Sequence, residues 1–338
     1  MSNPFHRAIF LTGPTAVGKT AIGVALAKRL DAEVIALDSM TLYRGMNIGT
    51  AKPTLGERGA VQHHLIDIVD PWDSATVADY RTWAERTIAE IEGRGHRVLF
   101  VGGTALYLKA LLRGLFEGPA ADPTIRHELE IEAVSRGHLA IHQRLSSIDP
   151  ITAQRLHPND LRRVIRALEV FAATGQPLSA YQVEHSQIAP DHVCAIALTR
   201  ARPALLTRID QRVEEMFKNG LVDEVEQLTK AARPIHETPA QAVGYHECRE
   251  YLAGNSSLVQ AVERTSLRTR QFSKRQATWF RGLAEVDSLL IDDNETVDQV
   301  VERLLGVIEK KHKMDRGLMV PTESLMGYDD TDGLPLTL

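Results

Sequence analysis

The sequence predicts an α/β protein built on a parallel sheet flanked by helices, and three observations predict it. Short apolar runs alternate with amphipathic segments over the first hundred residues, the order produced by successive βαβ units. The octapeptide GPTAVGKT at 13–20 fits G-x-x-x-x-G-K-[ST], a loop whose backbone N–H groups cradle phosphate at a helix N-terminus. It stands between an apolar run and a helical one, the context such a loop requires. The expected core is therefore P-loop NTPase-like.

Each element follows from local pattern. RAIFLT (7–12) reads as the first buried strand, and AIGVALAKRL (21–30) as a helix with apolar spacing of three and four. AEVIALD (32–38) is the second strand, ending on Asp38. VADYRTWAERTIAEIEGRG (77–95) is an amphipathic helix closed by glycine, and RVLFVGGT (97–104) a third strand. Ligands bind at the carboxyl ends of such strands, so Gly13, Asp38 and the Gly102–Thr104 turn should converge. From about 121 to 190 the pattern changes to helical segments punctuated by Pro and Gly, among them PTIRHELEIEAVSRG and PITAQRLHPNDLRRVIRALEVFAATG. HVCAIALT (192–199) can rejoin the sheet, which makes 121–190 a helical insertion in a core of 1–120 and 191–312. Helices are expected at 208–220, 221–232 and 257–281, a glycine turn at AVGYHE, a last strand at 287–292 and a final helix. The tail 313–338, rich in Pro, Gly and Asp without periodicity, is expected to be disordered.

Composition narrows the function classes. The 338 residues are 43% hydrophobic and 25% charged, with a net charge of -5. Such a chain has no global attraction to polyanions, so a nucleic-acid role needs a local basic patch. Two cysteines, Cys194 and Cys248, supply neither a disulfide framework nor a metal site. No apolar run approaches the roughly 18 residues of a membrane helix, and the first residues lack the apolar stretch of a signal peptide. A cytoplasmic protein is expected.

Within the phosphate loop (Gly13, Pro14, Thr15, Ala16, Val17, Gly18, Lys19, Thr20), Lys19 should meet phosphate oxygens, and Thr20 should bind phosphate or ligate Mg²⁺. An NTPase usually adds a carboxylate at a neighbouring strand end, but LFVGGT ends without an acid, and no Asn-Lys-x-Asp run reads guanine. That disfavours a GTPase. Asp38 could coordinate metal, orient a hydroxyl or accept a proton. Gly102 and Gly103 would let backbone approach a ligand closely, with Thr104 offering a hydroxyl. Adjacent His63 and His64 face opposite ways in a strand and suit hydrogen-bonding roles better than one metal; Asp67 and Asp70 could hold metal, though spacing does not force it. Tyr107, Tyr181 and Tyr245 read as packing.

Basic residues are better organised. Arg162, Arg163 and Arg166 share about one helical turn. The segment RTSLRTRQFSKRQATWFR (264–281) carries Arg264, Arg268, Arg270, Lys274, Arg275 and Arg281 with no acid, interleaved with Phe272, Trp279 and Phe280. A solvated face normally mixes both signs, so this stripe points to a polyanion.

GPTAVGKT, DSMTLYRGMNIGTAKP, HHLIDI, VGGTALYLKALLRGL, HPNDLRRVIRALEV, AVGYHE and TRQFSKRQATWF occur in this order. By these motifs the chain resembles the bacterial-type tRNA dimethylallyltransferases, from about residue 8 to 310. The resemblance implies that the loop holds the diphosphate of dimethylallyl diphosphate. N6 of adenosine 37, next to the anticodon, would attack the allylic carbon and release diphosphate. It implies Asp38 as the base, with Lys19, Thr104 and Mg²⁺ at Thr20 serving the leaving group. The tRNA anticodon stem-loop would meet Asp38, Ser39, Met40 and Thr41, then Thr104 and Arg126 near an extruded base. Further contacts would come from Arg162, Arg163, Val164, Ile165 and Arg166, from Val243, Gly244, Tyr245, His246, Glu247 and Cys248, and from Arg270, Lys274 and Arg275. A monomer acting off the membrane is expected. Members often carry Gln where this chain has Thr41, whose shorter side chain cannot make the same bidentate base contact. Rival readings are a P-loop small-molecule kinase, an RNA-binding nucleotide switch, and prenyl transfer to free AMP.

Overall fold

The computed structural model describes residues 3–114, 118–119, 122–181 and 188–315. A short 3-10 turn, Pro4–Arg7, leads into β1 (Ile9–Thr12), the phosphate loop and α1 (Lys19–Leu30), then β2 (Ala32–Ala36), α2 (Leu55–Ala60), β3 (His63–His64), α3 (Val77–Gly93), β4 (Arg97–Val101) and α4 (Ala105–Arg113). Five helices follow: α5 (Pro123–Arg136), α6 (His138–Ile148), α7 (Pro150–Arg155), α8 (Leu161–Thr174) and α9 (Leu178–Tyr181). The chain returns through β5 (Cys194–Thr199) to α10 (Arg202–Lys218), α11 (Leu221–Thr229), α12 (Glu237–Ala240), α13 (Tyr245–Leu252), α14 (Leu258–Arg281), β6 (Val286–Leu290) and α15 (Val297–Asp315).

The sheet is parallel throughout, in the order β3-β2-β4-β1-β5-β6. Because both faces are covered, the strands read as continuous apolar runs. Alternate residues of β1 and β5 serve opposite faces. Phe10, Ala195 and Ala197 join the core with Phe100, Tyr80 and Leu108, while Ile9, Leu11, Cys194, Ile196 and Leu198 pack with Leu26 of α1 and Leu304 of α15. β1 and β4 are neighbours whose following chain crosses to opposite sides. Their carboxyl ends therefore form the switch point at which doubly wound folds bind ligands.

Helices α5–α9 have a core of their own, built from Leu129, Ala133, Ile141, Leu145, Ala153, Val164 and Leu168. Its polar centre is Glu169, fully buried, which accepts from the Asp122 N–H at 2.7 Å and from Arg126 at 2.9 Å and pairs with Arg166 at 3.2 Å. Helix α15 runs through residues 313–315, past the start expected for a disordered tail; the remainder, 316–338, lies outside the described residues. Both cysteines are buried free thiols. No helix among the described residues is long and apolar enough to cross a membrane.

Candidate active site at the switch point

A cavity of about 400 Å³ opens where β1, β2 and β4 end, lined by Gly18, Lys19, Thr20, Asp38, Thr104 and Arg212 among others. The phosphate loop forms one wall. Gly18 opens α1 at φ +112°, a conformation only glycine adopts without strain, and so turns the first helical amides toward the cavity. Lys19 and Thr20 stand in the first turn of α1, where N–H groups find no acceptor within their own helix. Not every loop amide is available: Pro14 has none, Thr15 donates to Gln276 Oε1 at 2.8 Å, and Val17 to the Pro14 carbonyl at 3.4 Å.

Lys19 Nζ donates to the Gly13 and Pro14 carbonyls at 2.9 and 2.8 Å. Burial holds its pKa down to about 7; nearby Arg212 adds to the depression and Asp38 opposes it. Three arginines close the loop from behind. Arg200 Nε donates to the Val17 carbonyl at 3.0 Å, Arg208 Nε to that of Ala16 at 2.8 Å, and Arg212 Nη1 lies 3.5 Å from Thr15 Oγ1. Arg200 pairs with Asp293, but neither Arg208 nor Arg212 has an ion-pair partner among the described residues. Such an excess of positive charge, partly desolvated, calls for an anionic ligand. Sequence reading missed these arginines. The one signal was Arg208 and Arg212 four apart on a helix.

Asp38 faces the loop across the cavity. Its Oδ1 accepts the Met40 N–H at 2.9 Å. Burial raises its pKa above the ordinary aspartate range, against the lowering effects of that N–H and of Lys19. Thr104 Oγ1 accepts from the Ser39 N–H at 3.1 Å, which fixes the hydroxyl beside Asp38. Thr41 is buried, its hydroxyl 3.4 Å from the Asp38 carbonyl.

Gly102 and Gly103 are each required by neighbouring protein atoms. A Cβ at Gly102 would lie 2.1 Å from the Leu37 carbonyl oxygen, and one at Gly103 2.4 Å from Gln276 Nε2. His64 bonds Glu33 at 2.6 Å and His63 the Val61 carbonyl at 2.7 Å. Asp67 is taken up by Lys52 and Arg58, and Asp70 by Arg44. Tyr107 stacks on Tyr80, and Tyr245 donates to Glu224 at 2.5 Å.

Several residues expected to meet nucleic acid are buried or already engaged by other side chains. Val164 and Ile165 belong to the core of the helical part, and Gly244, Tyr245, Glu247 and Cys248 are buried, so none presents a side chain to a partner. Arg126 and Arg166 are drawn onto Glu169 and do not line the cavity. Arg162, Arg163 and His246 are exposed, Arg163 with Asp160 as a surface partner. The stripe on α14 is also narrower than its acid-free sequence suggests, because Arg268 pairs with Glu247 and Arg270 with Asp210, acids contributed by other elements. Lys274 and Arg275 remain exposed beside Phe272 and Trp279, and Arg275 and Phe272 reach the cavity wall. Phe280 is core.

No cluster of three His, Cys, Asp or Glu that could hold a metal ion exists among the described residues. Mg²⁺ needs few protein oxygens when phosphates supply the rest. Thr20, which lines the same cavity as Asp38, fits that minimal role.

A phosphate loop at a switch point, lacking an acid at β4 but facing an aspartate just past β2, defines a P-loop-type transferase site. The comparisons identify which. The family model described as "IPP transferase" matches residues 41–283, and one described as "Isopentenyl transferase" matches 6–68. A tRNA dimethylallyltransferase of Geobacter metallireducens is 44% identical over 301 residues, 89% of this chain and 97% of that one. One from Rhodopirellula baltica is 41% identical, covering 90% and 95%. The crystal structure of a tRNA isopentenylpyrophosphate transferase from Bacillus halodurans superposes with TM-score 0.67 at 41% identity, covering 92% of this chain and 99% of that one. That of a eukaryotic dimethylallyltransferase acting on tRNA gives 0.76 at 27% identity, covering 94% and 81%. The chain belongs to the IPP transferase family.

Proposed function

We propose that this protein transfers the dimethylallyl group of dimethylallyl diphosphate to N6 of the adenosine beside the anticodon, position 37, releasing diphosphate. One observation carries the reading: Lys19, Arg208 and Arg212, cations in excess of their acidic partners, surround a phosphate loop that shares a cavity with Asp38 and Thr104. That arrangement serves a leaving diphosphate opposite a base.

N6 is a weak nucleophile because its lone pair is delocalised into the ring, so Asp38 accepts its proton as the bond to C1 forms. The diphosphate gains charge as the C–O bond breaks. Lys19, Arg212 and the first-turn amides of α1 bind that charge most strongly in the transition state. Thr104, oriented by the Ser39 N–H, supports the reacting end. Mg²⁺ held by Thr20 would add positive charge to the leaving group. Lys274, Arg275 and exposed Phe272 and Trp279 supply phosphate contacts and stacking surface at the mouth, and the adenine reaches the cavity by leaving its stack. We further propose a monomer, working where tRNA is, in the cytoplasm.

A kinase would need an acid to hold its metal near the end of β4, where Gly102, Gly103 and Thr104 stand instead. The test is to incubate the enzyme with dimethylallyl diphosphate, Mg²⁺ and unmodified tRNA, then map mass shifts on nuclease fragments. One prenyl added to the adenine 3′ to the anticodon is expected. Prenylation of AMP but not of tRNA, or ATP turnover without prenyl transfer, would overturn the reading.

A further inference from the structure

We propose that Gln276 is a positioning residue that sets the distance between the two halves of the site, the phosphate loop on one side and the strand end carrying Thr104 on the other. This rests on the prenyl-transfer reading and adds a part to it.

Gln276 projects inward from α14 and is 6% exposed. Its Oε1 accepts from the Thr15 N–H at 2.8 Å, and its Nε2 donates to the Gly103 carbonyl at 2.8 Å. Both ends of the amide are thus committed, each to a different loop. The sheet ties β1 to β4 only as far as their ends, through Thr12 Oγ1 to the Gly102 carbonyl at 2.9 Å and the Gly102 N–H to the Leu11 carbonyl at 3.2 Å. Beyond those bonds no hydrogen bond joins the two loops directly among the described residues, and Gln276 bridges them. On the far side the link continues without a gap: Gly103 precedes Thr104, Thr104 accepts from Ser39, and Ser39 follows Asp38. A strut therefore runs from the leaving-group side of the cavity to the base.

Gly103 is shaped to admit it. A Cβ there would sit 2.4 Å from Gln276 Nε2, whereas its next neighbour, the Gly13 carbonyl oxygen, would be 3.4 Å away. The missing side chain at 103 makes room for this amide. Displacement at carbon needs nucleophile and leaving group on opposite sides of one atom, and a misplacement of about 1 Å can cost on the order of 100-fold in rate. A strut of this kind acts on kcat. It contributes little to tRNA affinity, because the amide is enclosed.

The experiment measures kcat, KM for dimethylallyl diphosphate and tRNA affinity without prenyl donor, on the full chain, with thermal melts confirming folded protein at assay temperature. Q276A is expected to lower kcat about 10- to 100-fold while tRNA affinity stays within about twofold. Q276E supplies a readout that loss of packing would not move. A protonated carboxyl can accept from Thr15 and donate to Gly103 as the amide does, and an ionised one cannot donate. Its kcat relative to the wild type should therefore recover as pH falls from 8 to 6, burial favouring the neutral form. G103A, whose methyl displaces the amide, should reproduce the Q276A defect. The double variant should be no slower than either single one, since both remove the same strut. If Q276A proves unstable, the double variant, its new methyl in the vacated space, carries the same comparison. A folded Q276A with wild-type kcat, a Q276E deficit independent of pH, or additive G103A and Q276A defects would overturn the proposal. Failure of the wild type to prenylate tRNA in the same assay would overturn the functional reading and this strut with it.

Discussion

The depressed Lys19 ammonium makes a prediction that a generic phosphate loop would not. With a pKa of about 7 instead of 10.5, half of the molecules at pH 7 carry the charge before the prenyl donor binds. Two units higher, about one in a hundred does. The ratio kcat/KM for dimethylallyl diphosphate reports the enzyme form that has not yet bound it. It should fall about tenfold per pH unit above 7. The limb in kcat should lie higher, because a bound diphosphate favours the ammonium. The assay is initial rate against pH from 6 to 9 at saturating tRNA and limiting prenyl diphosphate. Lys19→Arg isolates the cause. Its guanidinium stays charged throughout, so the variant should be slower yet flat over the alkaline range, while substrate ionisation remains common to both enzymes. A wild type flat between pH 7 and 9, or an alkaline limb surviving in Lys19→Arg, would refute the assignment.

Asp38→Asn should keep tRNA affinity and lose about 10²–10⁴-fold in kcat; an unchanged rate would remove Asp38 as the base. In the wild type, the acid limb of kcat/KM should lie above the ordinary aspartate range, because burial raises the Asp38 pKa and activity falls as the group protonates. Lys274→Gln and Arg275→Gln should each reduce the slope of log tRNA affinity against log salt by about one unit or slightly less, measured by filter binding. Arg270→Gln should change that slope less, since Asp210 already neutralises Arg270 at 2.5 Å. Glu285→Ala leaves the largely enclosed Arg113 guanidinium without its two 2.6 Å bonds and should cost about 3 kcal/mol in urea unfolding.

Much of the fold was legible because a parallel sheet covered on both faces writes itself as short continuous apolar runs, as IFLT and VLFV do. β3 was not legible as a paired strand. Its two histidines carry no apolar signal, and backbone pairing of Val34 with His63 defines it. Helix α10 begins at Arg202, ahead of the expected 208, because Pro203 suits a first turn, where no N–H is needed. At the site, Lys19 was readable from the phosphate-loop motif, and Asp38 and Thr104 from their places at the ends of strands. Arg208 and Arg212 were not, since the loop they close lies nearly two hundred residues earlier. The contiguous motif 162–166 overstated its contact surface because a helix returns to its inner face every third or fourth residue, which sends Val164 and Ile165 to the core with Leu168. Acid-free composition misled in the same way on α14, where Asp210 and Glu247 arrive from elsewhere in the chain.

The most direct test of the account is stoichiometry. Wild-type enzyme, dimethylallyl diphosphate labelled in both the prenyl group and the diphosphate, Mg²⁺ and unmodified tRNA would be followed together, with ATP present as a competitor. The account predicts one diphosphate released for each prenyl group gained by tRNA, with ATP left intact. ATP hydrolysis in step with the reaction, or diphosphate release without prenyl appearing in tRNA, would contradict it.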